Sequence, residues 1–68
     1  MTTFIDRLII ECSELKDKMN KLEDFIDNNP KFGEVSDIQQ ILLVNQFNAM
    51  QLYFFALEYR INDLKNGG

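Results

Sequence analysis

The sequence predicts an all-α protein, an antiparallel two-helix hairpin assembling into a helical-bundle dimer or higher oligomer. Three observations carry this reading: heptad apolar spacing along two long stretches, a single proline-containing break between them, and more apolar surface than one helix pair can bury.

The first stretch covers about residues 3–28. Ile5, Leu8, Cys12, Leu15, Met19, Leu22 and Ile26 follow one another at alternating steps of three and four, an unbroken a/d seam. Thr3 with Asp6 three residues on is a capping-box variant that marks the start. Asn28-Asn29-Pro30 marks the end, because proline pushes the residue before it out of the helical region. Residues 29–35, with Gly33, form the connecting loop. The second stretch covers about residues 36–65 and opens on Ser36, with Gln39 in the capping-box position. Leu43, Phe47, Met50, Phe54, Leu57, Ile61 and Leu64 form its seam, and Asn66-Gly67 closes it. The chain of 68 residues is thus read as one helical-hairpin domain.

Each helix is about 38 Å long at 1.5 Å per residue, and a short loop folds the second back along the first. Aligning the seams sets Ile5 near Ile61, Leu8 near Leu57, Cys12 near Phe54, Leu15 near Met50, Met19 near Phe47 and Leu22 near Leu43. The same register brings Asp6 toward Arg60 and Arg7 toward Glu58. Phe4, Ile9, Ile10 and Phe25 stay off the first seam, and Ile38, Ile41, Leu42, Val44, Leu52, Tyr53, Phe55, Ala56 and Tyr59 stay off the second. A small chain with that much unburied apolar surface is expected to associate with copies of itself.

Composition narrows the chemistry. The chain has no histidine and no tryptophan, one cysteine, seven Lys and Arg against eleven Asp and Glu, and a formal charge of −4. Without histidine the commonest general base near neutral pH is missing, and no histidine-paired nucleophile can be drawn. The three glycines, Gly33, Gly67 and Gly68, form no phosphate-binding loop. The sequence therefore reads as a non-enzyme with no cofactor and no metal. Cys12 lies on the seam facing Phe54, a packing position, and the lone thiol excludes an internal disulfide. No basic segment precedes an apolar run at the N-terminus, so a reduced, cytoplasmic setting is expected.

Ile38 to Leu57 is a run of twenty residues without a charge. Its amides at Gln39, Gln40, Asn45, Gln46, Asn48 and Gln51 are too many for a lipid-facing helix, so no membrane span is expected. Buried amides of this kind specify register across a protein interface, or meet the polar edges of a bound base while a tyrosine stacks on it. An acidic chain without a stripe of Lys and Arg lacks the main affinity term for duplex nucleic acid. A small phosphorylated ligand needs only two or three cations. Lys18 and Lys21 are the candidates to neutralise phosphate, Tyr53 to stack on a base, and Gln46 and Asn48 to read polar edges. Arg60 joins this set, although Asp6 and Glu58 lie near enough in the register to give it and Arg7 structural roles.

Arg7-Leu8, Glu11, Glu14-Leu15, Lys18, Lys21-Leu22 and Phe25 before the break form one half of a longer pattern. Leu42-Leu43, Gln46, Ala49-Met50, Tyr53, Leu57 and Arg60-Ile61 form the other half. Over about residues 4–62 this pattern resembles small two-helix proteins of crAss-like and other tailed bacteriophages. The resemblance implies, by analogy with phage sponges that counter CBASS and Thoeris defence, an oligomeric protein in the host-cell cytoplasm. Such a protein would sequester a cyclic oligonucleotide or ADP-ribose-type messenger without catalysis. The alternative is a small adaptor that binds or inhibits a host enzyme through the charge-free part of the second helix.

Overall fold

The computed structural model describes residues 3–67. Helix α1 runs Phe4–Asn28, a 3-10 turn occupies Pro30–Glu34, and helix α2 runs Asp37–Lys65, folded back antiparallel on α1. The result is an elongated all-α hairpin of 47 × 20 × 15 Å.

The helix ends follow from local chemistry. Thr3 accepts from the Asp6 amide at 3.0 Å and donates its own amide to the Asp6 carboxylate at 3.4 Å, a complete capping box. At the start of α2, Ser36 accepts from the Gln39 amide at 3.3 Å, but it is Gln40 that reaches back, donating Nε2 to the Val35 carbonyl at 3.1 Å. The connection is more ordered than a plain loop. Asn29 accepts from the Lys31 amide at 2.9 Å, Pro30 supplies the fixed φ that suits a first helical position, and Phe32 meets Phe25 edge-on at 6.1 Å. That ring contact half-buries Phe25, which the heptads had left on the surface. Gly67 ends the chain's helical part at φ 76°, where a side chain would be strained.

All fourteen seam residues are buried or half-buried. Leu8, Cys12, Leu15 and Met19 of α1 and Leu57 and Ile61 of α2 form one buried cluster, with Phe47, Met50, Phe54 and Leu64 packed against it. Leu57 is fully buried. The core therefore runs from the middle of the hairpin to the end opposite the turn, and Leu22, Ile26 and Leu43 near the turn are only half-buried. Two side-chain contacts fix the stagger independently of the core. The Tyr53 hydroxyl donates to Glu11, and the Arg60 guanidinium lies 5.9 Å from the centre of the Phe4 ring. Asp6 is used in the cap, so this end of the hairpin is closed by a cation–aromatic contact in place of the Asp6–Arg60 approach suggested by the register.

Candidate functional site

With the seam residues at heptad positions a and d, the hairpin has two long edges, one lined by g positions and one by e positions. The g edge sets Phe4, Glu11 and Lys18 of α1 against Arg60, Tyr53 and Gln46 of α2. The Phe4–Arg60 and Glu11–Tyr53 contacts belong to this edge, and the same stagger places Lys18 opposite Gln46. Four of the six residues singled out from the sequence thus share one edge, spread over about 21 Å of α2 at 1.5 Å per residue. Lys21 lies one turn further along α1, on the outer side of Lys18. Asn48 falls on the far side of α2, away from this edge. All six are exposed.

Tyr53 is the best-defined member. Its hydroxyl is committed to Glu11, and that hydrogen bond, with some desolvation behind it, raises the phenol above its ordinary ionisation range. The residue is 48 % exposed, so the ring still offers a surface to solvent while the hydroxyl holds it in place. Arg60 is likewise oriented by Phe4 while its edge stays accessible. An edge built this way presents an aromatic surface between a lysine–amide pair and a guanidinium, which suits a ligand with a flat ring and a phosphate.

The e edge carries the concavities. A groove of about 320 Å³ is lined by Ile9, Cys12, Ser13, Lys16, Phe54, Glu58, Ile61 and Asn62. Burial, then the nearby Glu58 carboxylate, raises the Cys12 thiol above its ordinary value, so the sulfur at this groove is a protonated packing group at neutral pH. Near the turn, Phe32, Gln40, Ile41, Val44 and Asn45 line a cleft of about 340 Å³, and Glu23, Ile26, Asp27, Val44 and Phe47 line a smaller one of about 190 Å³. None of the six candidate residues lines these clefts. Sequence reasoning missed the Ser13–Asn62 flank of the groove beside Cys12; its signal was two small polar residues at b positions beside the seam. Among the described residues no group of three or more His, Cys, Asp or Glu could hold a metal ion, and no helix is long and apolar enough to cross a membrane.

A family model described as Sequestin matches residues 2–63. A relative from Enterobacteria phage T4 is 37% identical over 65 residues, covering 96% of this chain and 100% of the relative. That relative is described as an uncharacterized 7.5 kDa protein in the denB-rIIB intergenic region. No solved structure matches the chain.

Proposed function

The chain belongs to the Sequestin family, and from that premise we propose that it captures a nucleotide-type defence signal and holds it without turnover, as an anti-defence protein of a phage. The family's name suggests sequestration, and the T4 relative ties the sequence to phage. The ligand class is a cyclic oligonucleotide or an ADP-ribose-type molecule, because each combines phosphate with a stackable base.

The observation that carries this reading is the g edge. Lys18 and Gln46 stand on one side of the Tyr53 ring and Arg60 on the other. Lys18 and Arg60 would neutralise phosphate, Tyr53 would stack on a base, and Gln46 would read a polar edge of it. Fixing the Tyr53 ring through Glu11 lowers the ordering cost that a ligand would otherwise meet. Lys21 borders this site from the outer side of α1. Asn48 would reach the same molecule only from a second copy.

A second reading is favoured by the exposed apolar side chains of α2, among them Leu52 at 71 % and Tyr59 at 73 % exposed. They would suit an adaptor or inhibitor that binds a host enzyme. Incubation with cyclic di- and trinucleotides and ADP-ribose derivatives, followed by heat denaturation, separates the two. Sequestration predicts that intact ligand is recovered, and that Tyr53→Ala weakens binding at least tenfold with helicity unchanged. No thermal shift with any of these molecules would favour the adaptor.

A further inference from the structure

The groove beside Cys12, on the e edge, sets two opposite charges over an apolar floor. Cys12 and Ile61 are buried and Phe54 is half-buried beneath it, while Ser13, Lys16, Glu58 and Asn62 line it with exposed side chains. Cys12 and Phe54 share one level of the seam and mark the middle of the groove. At 1.5 Å per residue Lys16 stands about 6 Å further along α1, and Glu58 about 6 Å further along α2, which runs the other way. Helical side chains lean toward the N-terminus of their own helix, so the Lys16 ammonium and the Glu58 carboxylate both tilt back toward this middle. The Cys12 thiol feels both: burial raises its pKa most, Glu58 raises it further and Lys16 lowers it.

We propose that this groove binds a small zwitterion with an apolar side chain, the chemistry of a free aliphatic or aromatic α-amino acid. Lys16 takes the carboxylate, Glu58 takes the ammonium, and the apolar side chain lies on Phe54 and Ile61. Ser13 and Asn62 supply the remaining hydrogen bonds at the rim.

Size and charge select this class of molecule. A groove of about 320 Å³ is at the lower end of the roughly 300–1,000 Å³ of ligand pockets, which suits a small metabolite. A phosphate placed here meets the Glu58 carboxylate, which repels it. A plain carboxylic acid leaves Glu58 unmatched, and a plain amine leaves Lys16 unmatched. The two side chains also attract each other, but exposed ion pairs are weak, so a molecule that satisfies both charges displaces that attraction readily. The groove is on the opposite long side of the hairpin from Tyr53, and its binding holds whether or not a nucleotide binds the g edge.

The test is a titration of the isotopically labelled full chain, followed by nuclear magnetic resonance, with L-leucine and two analogues that each lack one charge, isopentylamine and isocaproate. Leucine is expected to shift the amide resonances of Ser13, Phe54 and Asn62 saturably, with each analogue about tenfold weaker. Lys16→Met should bring leucine down to the affinity of isopentylamine, and Glu58→Gln down to that of isocaproate. Both positions are exposed, so the helical circular dichroism is retained. Tyr53→Ala should leave leucine binding unchanged. The proposal is overturned by the absence of a saturable shift with leucine, by either analogue binding as tightly as leucine, or by variant affinities equal to the wild type. A loss of leucine binding in Tyr53→Ala with both groove variants unaffected would place leucine on the g edge and overturn it equally.

Discussion

The hydrogen bond from Tyr53 to Glu11 links the fold to the proposed site, and its sign can be tested by pH. The folded state favours the protonated phenol, because the Glu11 carboxylate accepts from it and repels a phenolate. The contribution to stability is therefore complete below the ordinary tyrosine pKa of about 10 and is lost as pH rises through the elevated folded value. In a Tyr59→Phe background, Glu11→Gln should move the tyrosinate absorbance transition to lower pH. A transition that stays where it was would mean the phenol is not held by Glu11 in solution. Tyr53 was legible in the sequence as an exposed aromatic among amides. Its pairing with Glu11 was not, because a contact between g positions depends on the stagger of two helices, which heptad spacing fixes only to within a turn. Arg60 shows the same limit: the register read from the seams brought Asp6 toward it, while the observed stagger carries it over Phe4.

The helices themselves were legible because a period of 3.5 leaves a mark in every residue along them. Each seam residue read from spacing is buried or half-buried, and the Thr3 cap forms as its sequence motif requires. The 3-10 turn left no such mark. A single turn of five residues has no period, and only Asn29, Pro30 and the Phe25–Phe32 ring contact define it. Burial along the seams is uneven, so equal truncations should have unequal effects. Leu57→Ala should cost about 2–5 kcal/mol, a large share of the roughly 3–10 kcal/mol available to a domain of this size. Leu43→Ala, at a half-buried position, should lower the urea midpoint by less than half as much. Equal losses would place the core along the full length of the hairpin.

At the scale of the molecule, small size and surplus apolar surface are two expressions of one arrangement, a helix with apolar side chains on two sides and only one side covered by its own chain. If the second side is covered by another copy, stability must depend on protein concentration. A tenfold increase is worth about 1.4 kcal/mol per dimer and should raise Tm by about 3–6 °C, whereas Leu52→Glu should melt at a temperature independent of concentration. A flat wild-type curve would count against pairing. The position of the core has a consequence for how the chain acquires its structure. Because Leu8 and Leu57 are about fifty residues apart and lie away from the turn, the hairpin cannot close like a zipper from its hinge. Its rate-limiting event is the collision of two distant helix segments, for which chain length in the hinge matters only logarithmically. Doubling the connection adds about eight residues to a loop of about fifty, so it should slow folding by a factor of only about 1.3, the equivalent of roughly 0.1 kcal/mol, and leave the unfolding rate almost untouched.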